Sequence, residues 1–117
     1  MTRFEQLRVW QRARTLVTEV NDLVKRWRDD AGLGNQMRRA AISIASNIAE
    51  GANRHGDADL RRFLQIARGS CHELKAQLYL ARDLGTLTTE RFSHLYDTVD
   101  HVTAMIHRFV RRVESTA

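Results

Sequence analysis

Proline is absent from this 117-residue chain, and cysteine occurs once. A chain without proline suits long helices joined by short turns far better than a loop-rich or all-β protein. The lone Cys71 cannot close an internal disulfide, so a reducing, cytoplasmic setting is the expectation. Aromatic residues make up 7% of the sequence, which leaves Leu, Ile, Val and Ala to supply most of a core. No run of about eighteen apolar residues occurs, so neither a membrane-spanning helix nor a membrane partner is expected. The opening Met1–Glu5 has no apolar stretch of the secretory kind.

What the chain does have is 43% hydrophobic residues and a net charge of +5, from 19 basic and 14 acidic residues. Seventeen of the basic residues are Arg. The planar guanidinium grips oxyanions bidentately, so an Arg surplus favours an anionic partner. A GC-rich genome produces the same surplus, and both readings stand at this point.

Apolar spacing predicts an all-α, up-down-up-down antiparallel four-helix bundle, with residues 1–117 forming one domain. The helices are expected at about 4–28, 33–50, 57–84 and 88–115. In the first, Val9, Ala13, Leu16, Val20, Leu23 and Trp27 recur at alternating steps of four and three, the seam of a bundle helix. The second presents Leu33, Met37, Ala40, Ile44 and Ile48, with further alanines beside them that imply close approach to a neighbour. The third presents Leu60, Phe63 or Leu64, Ala67, Cys71, Leu74, Leu78 and Ala81, and the fourth Phe92, Leu95, Val99, Val102, Ile106, Phe109 and Val113. The breaks fall at Asp29–Gly32, Gly51–Gly56 and around Gly85, with Asp57 and Thr88 as expected N-caps. Links this short force consecutive helices antiparallel.

Little in this pattern points to catalysis or to a cofactor. Di-iron bundles need inward Glu-x-x-His pairs, and the sequence contains none. His94, Asp97 and His101 share one side of the last helix, a spacing common on solvated faces and weak as a metal clip. Cys71 falls among Leu and Ala in a seam, where a thiol is usually inert. Ser43, Ser46 and Ser70 have no histidine at a helical spacing of three or four. The expectation is no catalytic residue, no metal and no cofactor.

Two further groups read as structural or interface residues. Ser43, Asn47 and Glu50 line one edge of the second helix, and such residues sit poorly in mid-helix without partners. They read as a hydrogen-bonded network against another helix or subunit, or as a ligand pocket. Gly69-Ser70 interrupts the third helix, where glycine costs about 1 kcal/mol relative to Ala. A close backbone contact, inside the bundle or across a subunit interface, is the expected compensation.

The charge register is the most suggestive feature. Arg61, Gln65, Arg68, His72, Lys75, Tyr79 and Arg82 fall on one stripe of the third helix. Arg91, His94, Thr98, His101, Met105, Arg108 and Arg112 do the same on the fourth. Neither stripe contains an acid. Two basic stripes on adjacent helices would make a phosphate track, with Arg61, Arg68, Lys75, Arg82, Arg91, Arg108 and Arg112 as the contacting residues. Such a track gives affinity without base readout, and Tyr79 is its only ring. The other reading is a solvated face.

The middle of the chain carries a family likeness. Gln36 to Gly51 reads QMRRAAISIASNIAEG, followed by Arg54, then Arg62 to Ser70 as RFLQIARGS and Glu73-Leu74. The opening Phe4 to Leu7, with Val9-Trp10-Gln11 and Ala13, fits as well. These residues resemble the four-helix bundle proteins encoded in 23S rRNA intervening sequences, a family similar to the accessory variability determinant of diversity-generating retroelements. Ala45 stands where the family often has Pro, which should straighten the second helix. The resemblance covers nearly the whole chain and implies a ring-like homopentamer with no catalytic residues to carry over. It also implies, through the retroelement relatives, contacts with nucleic acid and a partner protein. The expected function is a cytoplasmic oligomeric module that binds RNA or DNA non-specifically. A protein–protein adaptor that docks an acidic or nucleic-acid-bound partner, and a mobile-element remnant, are the alternatives.

Overall fold

The computed structural model describes residues 4–28 and 32–115. A 3-10 turn, Phe4–Gln6, precedes four helices: α1 (Arg8–Val24), α2 (Leu33–Ala52), α3 (Asp57–Asp83) and α4 (Thr89–Ser115). They form the up-down-up-down bundle that the heptad spacing predicts. Each helix packs on its neighbours in sequence, α1 also closes on α4, and the diagonal pairs do not meet. The rod measures 46 × 20 × 19 Å, about the length of one 27-residue helix at 1.5 Å per residue.

The core is a single cluster that runs the length of the rod. It takes Val9, Ala13, Leu16 and Val20 from α1, Met37, Ala40, Ala41, Ile44 and Ile48 from α2, Leu64, Ala67, Cys71, Leu74 and Leu78 from α3, and Val99, Val102 and Ile106 from α4. The α2–α3 contact is the most extensive in the bundle. Its small residues, Ala40, Ala67 and the buried Gly51, let the two backbones approach.

Helix boundaries depart from the sequence expectation in instructive ways. The first helix was expected over 4–28, but Leu7 is extended (φ −74°, ψ 126°) and separates the 3-10 turn from α1. Gln11 Nε2 donates to the Glu5 carbonyl at 3.0 Å, and the Phe4 ring meets Trp10 edge-on at 5.0 Å, fixing that entry. At the other end, α1 stops at Val24. The amide of Trp27 bonds the Val24 carbonyl at 2.9 Å, a tightened turn that lays the half-buried indole back on the core. Of the expected break at Asp29–Gly32, only Gly32 lies within the described residues. It has φ +84° and stands at the N-cap of α2.

α2 runs two residues beyond the expected Glu50, through Gly51 to Ala52. A Cβ on Gly51 would lie 2.9 Å from the Phe63 Cβ and 3.4 Å from the Leu60 carbonyl, so the first turns of α3 cross α2 at this point. Asp57 is the first residue of α3 and not its cap. Gly56 holds the N-cap position without a side-chain hydrogen bond, and Asp57 and Asp59 face the positive end of the helix dipole. α3 closes in a Schellman motif: Gly85 has φ +80°, its amide bonds Arg82, and the Thr86 amide bonds Ala81. Thr88 caps α4 by accepting the Arg91 amide at 3.2 Å.

Candidate nucleic-acid interface

The stripe on α3 lies on the flank that faces α4, and most of its charge is engaged within the fold. The Lys75 side chain is only 14% exposed, and its ammonium meets Asp100 on α4 at 2.7 Å. The same ammonium sits 5.4 Å from the Tyr96 ring centroid. Lys75, through its hydrogen bond and charge, holds the Asp100 carboxyl below the ordinary carboxylate value. Arg82 lies over Phe92 at 4.3 Å and over Tyr79 at 5.1 Å. Arg68 makes a long contact of 3.5 Å with His107 Nδ1. Of the four basic residues expected to contact phosphate from α3, only Arg61 has no polar or ring partner among the described residues.

Tyr79 is not isolated either. Its ring packs at 4.9 Å from Phe92 and 5.5 Å from Tyr96, which join it from α4. The sequence signal for this cluster exists only across helices, so reading one stripe at a time misses it.

The stripe on α4 lies on the opposite flank of that helix. Its α3-facing residues are Phe92, Tyr96, Asp100 and His107, whereas His94 Nε2 reaches Glu19 Oε2 on α1 at 2.8 Å. At about 100° per residue these two sets are roughly half a turn apart. The expected continuous track across α3 and α4 is therefore corrected to two separate edges with α4 between them. Thr98, within the stripe, is buried and donates to the His94 carbonyl at 3.0 Å. Arg91, Arg108 and Arg112 are exposed and form no ion pair among the described residues.

The α1–α4 edge is not uniform. Near the start of α4, Arg91 and His94 share a groove with Glu19 and Asp22. At the other end, a groove of about 600 Å³ is walled by Arg8, Arg108, Arg111 and Arg112, over Leu7, Met105 and Phe109. Among the described residues, no acidic side chain lines it. Arg8 and Arg111 lie off both sequence stripes. Arg111 neighbours Arg108 and Arg112 on α4 itself, and antiparallel closure of α1 on α4 brings Arg8 to all three.

The residues expected at an interface or in a structural network divide in two. Ser43 and Ser70 meet hydroxyl to hydroxyl at 2.8 Å across α2 and α3, and Asn47 Nδ2 donates to the Ser43 carbonyl at 2.8 Å. Glu50 does not reach α3; it pairs with Arg54 at 2.5 Å in the following turn. Gly69 is exposed, with nothing within 4 Å of an added Cβ, so no contact inside the chain accounts for it. Cys71 is fully buried, and burial pushes its thiol pKa up. Among the described residues, no three His, Cys, Asp or Glu side chains gather as a metal-holding group. Nor is any helix there long and apolar enough to cross a membrane.

Comparison with known proteins agrees with this architecture. The model of the 23S rRNA-intervening sequence protein family matches residues 5–108. A crystal structure from Bacteroides thetaiotaomicron, of a protein with unknown function from the S23 ribosomal protein family, superposes with a TM-score of 0.82. It is 19% identical to this chain, and the alignment covers 87% of this chain and 97% of that one. At that identity the likeness establishes the fold alone. No curated protein matches the chain. With a family match over nearly its whole length and the same fold in a solved relative, this chain belongs to the 23S rRNA-intervening sequence protein family.

Proposed function

We propose that this protein is a non-enzymatic, self-associating cytoplasmic module that binds RNA or DNA through phosphate contacts, without base readout. The observation that carries this reading is the distribution of unpaired arginine. Arg91, Arg108 and Arg112 stand exposed along α4 with no ion pair among the described residues, while the acids of that helix turn elsewhere or stay single. Exposed guanidinium groups without ion pairs, spaced along a rigid rod, suit a polyanion whose phosphates repeat along its length. Potential nucleophiles are engaged otherwise: Ser43 and Ser70 bond each other, and Cys71 is sealed in the core.

Self-association has separate support. On the outer flank of α3, Ile66, Gly69, Glu73, Ala76 and Leu80 follow steps of three and four, and all are exposed. That is the spacing of a second helix seam with nothing packed on it among the described residues. In the fivefold ring that the family resemblance implies, each α4 edge would be repeated, and weak contacts would add through avidity.

Fluorescence anisotropy with generic RNA and DNA across a salt series tests the reading. Wild type is compared with an Arg91→Gln/Arg108→Gln/Arg112→Gln variant and with an Arg61→Gln/Arg68→Gln/Lys75→Gln/Arg82→Gln variant. The expected result is steep salt dependence, with a slope of about −0.9 per phosphate neutralised on duplex DNA. The α4 variant should lose more affinity than the α3 variant, because three of the four α3 side chains already have partners. Absence of binding at low salt by protein of unchanged oligomeric size would sink the proposal and leave docking to an acidic protein as its replacement.

A further inference from the structure

We infer that the arginine-walled groove between the start of α1 and the end of α4 is a binding site for a nucleotide phosphate monoester. The ligand is the phosphorylated end of a nucleic-acid strand or a free nucleotide, its base lying against Leu7, Met105 and Phe109. The inference rests on the nucleic-acid reading above for the strand as a source, but not for the free nucleotide.

Charge sets the ligand class. Arg8, Arg108, Arg111 and Arg112 converge on one concavity, and none has an ion-pair partner among the described residues. The other grooves that arginines border carry acids as well: Arg26 and Arg91 sit with Glu19 and Asp22, Arg39 with Glu73, and Arg68 with Asp100. Four like charges gathered without an acid repel one another, and a bound anion relieves that repulsion. A phosphodiester carries one negative charge, whereas a monoester carries about 1.5 to 2 at neutral pH and has three free oxygens. Four guanidinium groups are more than an internal phosphate can use, and they suit the monoester.

Shape and polarity narrow it further. The volume of about 600 Å³ falls in the usual small-molecule range of about 300–1,000 Å³ and exceeds what an inorganic anion fills. Leu7, Met105 and Phe109 are each half-buried, so the groove has an apolar floor that water covers poorly. Arg112 already stacks on Phe109, with its guanidinium 5.4 Å from the ring centroid. A planar base can extend that stack while its phosphate meets Arg8 and Arg111. Leu7 at the N-cap of α1 offers no side-chain hydrogen bond, so the amides of the first turn are not covered by a cap. They add to the field, though the four arginines carry the assignment.

The test compares one oligonucleotide with a 5′-phosphate, a 3′-phosphate or hydroxyl ends, and in parallel AMP, adenosine and inorganic phosphate. Binding is read by titration calorimetry on wild type and on an Arg8→Gln/Arg111→Gln variant. That variant leaves the whole α4 stripe intact, and its melting temperature should match wild type because both side chains are exposed. The expected result is roughly tenfold tighter binding of one phosphorylated oligonucleotide than of the hydroxyl form, equivalent to about one charge-assisted contact. AMP should bind more tightly than either adenosine or phosphate, and both preferences should vanish in the variant. Equal binding of phosphorylated and hydroxyl strands, with no AMP binding, would overturn the inference while leaving strand binding along α4 untouched. AMP binding that depends on Arg8 and Arg111, without strand binding, would keep the site and overturn the proposed function. Inorganic phosphate binding as tightly as AMP would overturn the assignment of the base to the apolar floor.

Discussion

Two glycines in helical positions should respond in opposite directions to the same added methyl group. Gly51 lies in the last turn of α2 and is buried; Gly69 lies in the middle of α3 and is exposed. Alanine should gain about 1 kcal/mol over glycine in either helix, because glycine has more backbone freedom to lose. At Gly69 nothing opposes that gain, since an added Cβ finds open space. At Gly51 the Cβ would sit 2.9 Å from the Phe63 Cβ and 3.3 Å from Leu60 Cδ1. The Phe63 Cβ is fixed to the backbone and cannot rotate away, so α3 must shift, at an overpacking cost of about 1–3 kcal/mol. The net expectation is that Gly69→Ala stabilises by about 1 kcal/mol and Gly51→Ala destabilises by up to about 2 kcal/mol. For a chain of this length each kcal/mol moves the melting temperature by roughly 4 °C. Circular dichroism melts of both variants at low protein concentration decide the matter. A Gly51→Ala variant at least as stable as wild type would refute the close crossing of α2 and α3. Repeating the Gly69→Ala melt at high concentration adds a readout of the outer seam. If the stabilisation turns into a loss only where the protein self-associates, Gly69 is the point of contact between copies.

Three further outcomes follow from the interior and the α3–α4 edge. Gln77 is 6% exposed between α2 and α3, and its Oε1 is buried without a hydrogen-bond partner among the described residues. Gln77→Leu should raise the unfolding free energy by about 1 kcal/mol, read as a higher urea midpoint at unchanged m-value, and a loss of stability would show that Oε1 has a partner in solution. The Asp100 carboxyl is held below its ordinary value of 3.8 by Lys75, so its contribution is full above pH 3.8 and lost as pH falls through the lower folded value. The melting-temperature difference between wild type and Asp100→Asn should therefore be positive above that range and shrink toward zero in acid; a pH-independent difference would contradict the ion pair. Cys71 is sealed in the core, and burial raises its thiol pKa. It should react with a thiol reagent only at the rate of unfolding, measured by absorbance with and without urea, and rapid native labelling would refute its placement.

Periodicity made the fold legible because every helix carries an uninterrupted apolar seam. Val9 to Val20, Met37 to Ile48, Leu64 to Leu78 and Val99 to Ile106 all sit in the core where spacing places them. Helix ends were less legible, because tertiary contacts decide them. Gly51 looks like a breaker in sequence, yet it is helical and lies where α3 leaves no room for a Cβ. Asp57 looks like a cap, but the chain enters α3 one residue earlier, through Gly56. Trp27 extends the α1 heptad on paper, whereas the chain turns at Lys25 to bring the indole back to the bundle.

Charge was the least legible property, for a physical reason. A helical stripe records which residues share a face of one helix, while the partner of each charge comes from the next helix across. The α3 stripe contains no acid, but packing brings Asp100 from α4 to Lys75 at its centre. Phe92, also from α4, comes under Arg82 at one end. What looks like a free basic face is in large part an inter-helix seam with charged edges. The converse holds at the far end of the rod. Arg8 belongs to no stripe and lies most of the sequence away from Arg108, Arg111 and Arg112, yet antiparallel closure sets it around one groove with them. Net charge and register identify the kind of partner that an arginine-rich bundle favours. Where such a partner sits depends on which charges folding leaves unmatched, and in this chain they concentrate where α1 begins and α4 ends.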